Sequence, residues 1–356
     1  MKLGRLGIWY STDKLDGSQL RDFVRTVENN GYSLLWYPES RGYESMSLAA
    51  CLLSSSEKLT IGSSIANIYA RDSFTAQRAM VSLNTLYDDR FILGLGVSHI
   101  PMVEGLRGHR YDKPLTAMSA YLDGINKSAP QGELPPVVVA ALGPKMLALS
   151  GAKSRGAVPY NVTPQHTAQA AAILGPAKWL AVEQKVTLET DPAKARALGR
   201  KELSRYMVLP NYRNSWLRQG FTEAELADGG SDRFIDAMVL WGDAETIRRG
   251  LRAHFTAGAT HVCLQPVHAD GDFAARDSML AALADTLTRL WRRSSEQVGD
   301  GVAVAAHGIC MVAHAPARHA LVVIAAKSVV QRDMRDTRLL PEADFLAPVL
   351  LCACAG

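Results

Sequence analysis

Apolar residues along the chain fall into short unbroken runs, and amphipathic stretches separate one run from the next. Residues 59–66 and 90–97 are two such runs, joined by a helical stretch that opens at Asp72. The same unit precedes them. Residues 6–10 form an apolar run, and Asp16-Gly17-Ser18-Gln19 then has the form of a capping box, an acidic cap followed three positions later by Gln. Leu20, Phe23, Val24 and Val27 share one helical face, and Asn30-Gly31 ends the helix before a second strand at 33–37. With a helix over 45–55 and another carrying Leu115, Met118, Leu122 and Ile125, four strand–helix units fill the first 127 residues.

The rhythm continues. Residues 135–141 are a β-branched run of the kind buried on both faces of a parallel sheet, followed by Leu142-Gly143-Pro144-Lys145 and a helix. The sixth strand is predicted over 156–160, the seventh over 184–190 and the eighth over 261–267. Thr163-Pro164 and Asp191-Pro192 each open a helix with a cap residue and a proline at the first helical position, where a missing N–H costs nothing. Residues 206–240 break the repeat with aromatic and polar side chains and read as an inserted lid or side helix. Eight parallel strands alternating with helices over residues 1–290 predict a (β/α)8 TIM barrel, with a doubly wound open sheet as the competing arrangement. Residues 291–356 lack this rhythm and read as an atypical C-terminal extension. His307, Cys310 and His314 would share a helical face there, but a fourth ligand is not evident and no metal site is assigned.

Composition narrows the picture. Of 356 residues, 47% are hydrophobic and 21% charged, enough to bury a sizeable core. The net charge of +4 is dispersed, so a nucleic-acid partner is not expected. The longest apolar run, 320–326, is too short to span a bilayer, so no membrane association is expected. Five scattered cysteines suggest neither a disulfide framework nor a zinc spacing, and a cytoplasmic location fits.

In a barrel of this kind the chemistry sits at the C-terminal ends of the strands. Small or polar residues gather there: Gly62-Ser63-Ser64-Ile65 on the third strand, Gly94-Leu95-Gly96-Val97-Ser98-His99 on the fourth, Ala141-Leu142-Gly143 on the fifth. Lack of bulk lets a flat ligand approach the backbone. His99 and Glu39 face the expected pocket as candidate proton carriers, His99 favoured because an unperturbed imidazole titrates near pH 6.5. Each also has a plain structural reading: His99 bonded to a loop carbonyl, Glu39 paired with Arg41 or capping the next helix. Trp9, Tyr69 and Trp241 are candidates for the substrate side.

Gly31-Tyr32-Ser33-Leu34-Leu35-Trp36-Tyr37-Pro38-Glu39, the residues 59–67, the run 90–99, Ala140-Ala141-Leu142-Gly143-Pro144-Lys145-Met146 and residues 258–266 together resemble the luciferase-like monooxygenase superfamily. Within it they look like the branch that uses the deazaflavin coenzyme F420, and the resemblance covers about residues 1–290. It implies a coenzyme F420-dependent oxidoreductase that exchanges hydride with a small organic substrate, commonly as a homodimer. It also implies a non-prolyl cis peptide at Ser64–Ile65 behind the ring. Gly96, Val97 and Ser98 would line the ring, and Ala141, Leu142, Gly143 and Pro144 the coenzyme tail, with Asn161 and Thr163 as added donors. Backbone N–H groups at Gly143 and the helix starting at Lys145 suit a tail phosphate, since helix N-termini attract anions. The sugar-phosphate dehydrogenases of this branch carry a histidine and a glutamate where this chain has Ser40 and Val97, which argues against a sugar phosphate. Two alternatives stay open: an FMN-dependent monooxygenase on the same barrel, and a barrel that binds a flavin or deazaflavin without turnover.

Overall fold

A computed structural model of the chain describes residues 3–127, 129 and 132–284. Ten strands occur among them: β1 (Leu6–Trp9), β2 (Leu34–Tyr37), β3 (Thr60–Ser63), β4 (Ala66–Asn67), β5 (Phe91–Gly96), β6 (Val137–Val139), β7 (Gly156–Ala157), β8 (Trp179–Thr187), β9 (Val239–Trp241) and β10 (His261–Pro266). Every pairing is parallel, in the order β1-β2-β3-β5-β6-β7-β8-β10, and β10 returns to β1. This is a closed (β/α)8 barrel. Apolar side chains such as Leu34, Trp36, Ile92, Val138, Val158 and Ala181 belong to one buried cluster, as strands buried on both faces require.

Local chemistry sets the helix starts. Asp16 Oδ1 accepts from the Ser18 and Gln19 main-chain N–H groups at 2.9 Å each, and Asp16 N–H donates back to Gln19 Oε1 at 3.0 Å. The predicted face of Leu20, Phe23, Val24 and Val27 is the buried one. Asp72, Thr163, Asp191 and Asp243 cap later helices in the same manner.

Three elements differ from expectation. The run 59–66 is interrupted, because the Ser64–Ile65 peptide is cis and the chain resumes as β4 beside β5. The seventh barrel strand spans Trp179–Thr187 rather than 184–190. Polar Glu183 and Lys185 sit on its buried positions, so apolar patterning does not mark it. The segment 206–240 is more than a lid: it holds helices Pro210–Arg218 and Asp232–Met238, and then β9, which pairs with β8. His307, Cys310 and His314 lie outside the described residues. Among the described residues no cluster of three or more metal-ligating side chains occurs, and no helix is long and apolar enough to cross a membrane.

Two core histidines make the barrel sensitive to acid. Trp36 Nε1 donates to His261 Nε2 at 3.2 Å, which leaves the proton on Nδ1, 3.1 Å from the Gly4 carbonyl. His254 Nε2 lies 2.8 Å from Gln184 Oε1 and its Nδ1 2.8 Å from Thr167 Oγ1. Burial pulls the pKa of each imidazole down to about 4. The unfolded chain therefore binds more protons than the native one between pH 6.5 and 4, and stability falls as pH falls through that window. The loss amounts to about 3 kcal/mol for each histidine. Urea unfolding at pH 7.5 and pH 4.5 is expected to show it, with a smaller pH dependence in His261→Gln; equal stability at both pH values would contradict it.

Candidate functional site

The mouth of the barrel is built from the strand ends. At β3 the chain bulges toward β5: Ser63 Oγ donates to the Gly94 carbonyl at 2.8 Å and accepts from Gly94 N–H at 3.0 Å. The approach is close enough to require glycine. A Cβ placed on Gly94 would lie 1.9 Å from the Ser63 carbonyl oxygen, and one on Gly96 would lie 2.5 Å from Ile65 Cγ1. Ser64 N–H donates to the Tyr37 carbonyl, Trp9 Nε1 donates to the Ser64 carbonyl at 3.3 Å, and Glu39 N–H donates to the Ile65 carbonyl. The bulge is thus fastened to β1, β2 and β5 at once.

Val97 and Ser98 continue from β5, Ser98 with φ +55°, and bring His99 to the rim half-buried. Its ring centroid is 5.9 Å from that of Tyr212 on helix Pro210–Arg218. Burial holds the His99 pKa below the usual imidazole value, and a hydrogen bond with the Asn211 side chain pulls the other way. At neutral pH the ring is uncharged, with a lone pair available to a proton. Its carbonyl also heads the single wide helical turn Pro101–Gly105 through the Met102 and Val103 N–H groups.

Glu39 is differently placed. Its carboxylate, nearly enclosed, takes both ends of the Arg71 guanidinium at 2.6 and 3.0 Å and the Asn67 N–H at 2.8 Å, with Arg107 3.7 Å away. The partner is Arg71, not Arg41, and the next helix is capped by Glu44 instead. Both oxygens already accept hydrogen bonds, so Glu39 anchors the rim beside the bulge.

The fifth and sixth strands supply the other wall. Ala141 is buried, Leu142 and Gly143 follow at the rim, and Gly143 caps helix Pro144–Lys153 with Pro144 in its first turn. The only group within 4 Å of a Cβ placed there is Arg218 Nη2, at 3.8 Å. His166 Nε2 lies 2.9 Å from the Leu142 carbonyl, while its Nδ1 is enclosed without a partner. Thr163 caps the helix that carries His166, and both its N–H and Oγ1 donate to Gln219 Oε1, at 2.8 and 2.9 Å. Asn161, with φ +58°, is buried. Helix Pro210–Arg218 therefore reaches the ends of three strands, through Tyr212 to His99, Trp216 to the Asn161 carbonyl and Arg218 to Gly143.

Trp9 lies in the mouth with its ring centroid 5.0 Å from that of Tyr160. Tyr69 lies tilted against Tyr111 with ring centroids 6.0 Å apart, whereas Trp241 packs with Arg196 and donates to Asp236. Sequence reasoning missed Arg71, Arg218 and a polar cluster inside the barrel. In that cluster Lys185 Nζ lies 2.6 Å from Asn161 Oδ1 and 3.2 Å from Glu183 Oε1. Burial pulls the Lys185 ammonium down and pushes the Glu183 carboxyl up, each partly offset by the other's charge. Glu183 and Lys185 stand two positions apart, on one face of a strand, but Gln184 between them hides the alternation.

The residues present suit a flat ring with an anionic tail. Gly94 and Gly96 let the Ser63–Ile65 bulge lie directly on β5, and the open helix N-terminus at Gly143, with Arg218 beside it, offers N–H groups and positive charge.

Comparisons with known proteins give a partial family match and likenesses of fold. Residues 2–128 match the luciferase-like monooxygenase family. A Mycobacterium tuberculosis (strain ATCC 25618 / H37Rv) protein with the provisional name coenzyme F420-dependent oxidoreductase is 33% identical over 124 residues, 35% of each chain. The match thus spans about a third of that relative's length. An F420-dependent secondary alcohol dehydrogenase, solved with an F420–acetone adduct, superposes with a TM-score of 0.64 at 14% identity, over 80% of this chain and 98% of its own. The oxygenating constituent of a 3,6-diketocamphane monooxygenase of Pseudomonas putida, solved with FMN, gives 0.60 at 14% identity, over 81% and 98%. At such identities the likeness is one of fold. The likeness to the luciferase-like monooxygenase family is thus carried by residues 2–128.

Proposed function

We propose that the protein is an oxidoreductase that binds the deazaflavin coenzyme F420 at the mouth of the barrel and exchanges hydride with a small organic substrate. The observation that carries this reading is the mouth itself: the Ser64–Ile65 bulge seated closely on Gly94 and Gly96 of β5, together with an open helix N-terminus at Gly143 beside Arg218. The relative named for coenzyme F420 supports the deazaflavin. The ring would lie against Ile65, Gly96, Val97 and Ser98, and the tail along Ala141, Leu142, Gly143 and Pro144 with Thr163 nearby. When bound, the coenzyme supplies the hydride acceptor or donor. The protein positions the two reactants and handles the proton. His99 takes that proton at a ring nitrogen as the substrate is oxidised, and returns it in the reverse direction.

FMN is the second reading, supported by the diketocamphane enzyme, whose similar fold holds it. We further read the protein as a cytoplasmic homodimer. Among the described residues Cys51 and Cys263 are free, which suits a reducing compartment, and exposed Phe74 and Leu86 on helix Ser73–Leu86 offer apolar surface to a second copy.

Gly143→Asp tests the tail site. Gly143 has φ −100° with open space around it, and aspartate is a favoured N-cap residue, so the variant should fold at least as stably as the parent. Its carboxylate would occupy the helix N-terminus and Arg218, and repel an anionic tail. A fluorescence titration should show coenzyme affinity falling about tenfold or more with the thermal midpoint unchanged or raised. Unchanged affinity would place the tail elsewhere.

A further inference from the structure

A lysine with no exposed surface sits inside the barrel mouth, and the reading above gives it no task. Lys185, 0% exposed, and Glu183, 1% exposed, lie on interior positions of β8. The three nitrogen–oxygen contacts of Lys185 Nζ are with Asn161 Oδ1 at 2.6 Å, Glu183 Oε1 at 3.2 Å and Gln265 Oε1 at 3.4 Å, and it stands 4.0 Å from the Tyr160 ring centroid. Stability alone is a poor reason for such a pair, because a buried ion pair replaced by apolar side chains of similar volume often leaves a protein equally or more stable.

What the pair does hold is one residue. Glu183 Oε2 accepts the Asn161 main-chain N–H at 3.1 Å, Lys185 donates to the Asn161 side-chain oxygen, and Trp216 Nε1 donates to the Asn161 carbonyl at 3.1 Å. Asn161 adopts φ +58°, a conformation that asparagine tolerates better than most residues. Each of its polar atoms is thus fixed except Nδ2. That amide nitrogen is enclosed, has no partner, and points away from Lys185 because the amide oxygen faces it. A buried donor left without an acceptor is costly, so its position calls for a ligand atom.

We propose that Lys185, with Glu183, is a positioning residue that locks the Asn161 amide so that Nδ2 donates a hydrogen bond to an acceptor atom of the cofactor bound at the mouth. The inference rests on the cofactor reading above. It assigns Lys185 and Glu183 no proton transfer and no contact with the reacting atoms.

Lys185→Met alone would strand the Glu183 carboxylate and unfold the site for a trivial reason, so the test uses K185M/E183Q, which removes both charges at nearly constant volume. Coenzyme F420 and FMN are titrated separately into the wild type, K185M/E183Q, N161A and the triple variant, with thermal unfolding of each. K185M/E183Q is expected to keep its thermal midpoint within about 3 °C of wild type. Its Kd for the cofactor should rise about tenfold, the worth of one hydrogen bond. N161A should show a similar rise, and the triple variant no more than N161A alone, because the pair acts through Asn161. Wild-type affinity in K185M/E183Q, or losses that add in the triple variant, would overturn the inference. If the wild type binds neither cofactor, the cofactor reading fails and removes the acceptor with it, an outcome visible before any variant is compared.

Discussion

Gly94→Ala should abolish cofactor binding. The added methyl carbon would sit 1.9 Å from the Ser63 carbonyl oxygen, a main-chain atom held in β3 by its pairing and by the two bonds between Ser63 Oγ and Gly94. A side chain could rotate away; this oxygen cannot. Either β5 or the bulge must move by more than 1 Å, and overpacking of this kind costs about 1–3 kcal/mol or more. The bulge carries Ile65 and is bonded to Trp9, Tyr37 and Glu39, so the displacement spreads along the whole floor. Affinity is expected to fall about 100-fold, the equivalent of the upper end of that cost. Gly96→Ala meets the Ile65 side chain instead of main chain, with Cγ1 at 2.5 Å and Cβ at 3.2 Å, and should cost less stability while still weakening cofactor binding. Titration and thermal unfolding of the two variants check this; wild-type affinity in Gly94→Ala would mean that the floor is not where the ring lies.

His99→Gln is the second large effect, and it falls on turnover rather than binding. Glutamine fills similar space beside Tyr212 and Asn211 but neither takes nor gives a proton. Loss of a positioned acid or base costs about 10²–10⁴-fold, so kcat should drop by that factor with cofactor affinity unchanged. The pH profile carries the same signature. Burial lowers the His99 pKa, so the neutral ring persists below the usual imidazole range. In the direction of substrate oxidation kcat/KM should stay level through neutrality and fall only below about pH 6.5, and the fall should vanish in His99→Gln. A variant with wild-type turnover and the same acid limb would transfer the role to another group.

Much of the fold is legible because the residues that set it are local. The capping box at Asp16, the prolines after Thr163 and Asp191, and the β-branched run before Ala141 each state their structure within a few positions. The barrel follows from repetition of that unit. The seventh barrel strand is not legible by the same rule, since Glu183, Gln184 and Lys185 interrupt its apolar run after Val182, with Glu183 and Lys185 turned toward the barrel interior. Such polar residues earn their place only through partners far along the chain, as Lys185 does with Asn161 and Gln265. The rim is similar. Glu39 reads as a free carboxylate or a partner of its neighbour Arg41, whereas the pair it makes is with Arg71, brought in by the turn after β4. Likewise the aromatic segment after 206 marks itself as a departure from the repeat. Nothing local says that Tyr212, Trp216 and Arg218 reach the ends of three strands.

The most direct test of the account is a fluorescence titration of the unaltered protein with coenzyme F420 and, separately, with FMN. The account predicts saturable binding of the deazaflavin at one site per chain and weaker binding of FMN. Preference for FMN would contradict it and favour an oxygen-using monooxygenase, and binding of neither would leave a barrel whose mouth serves something else.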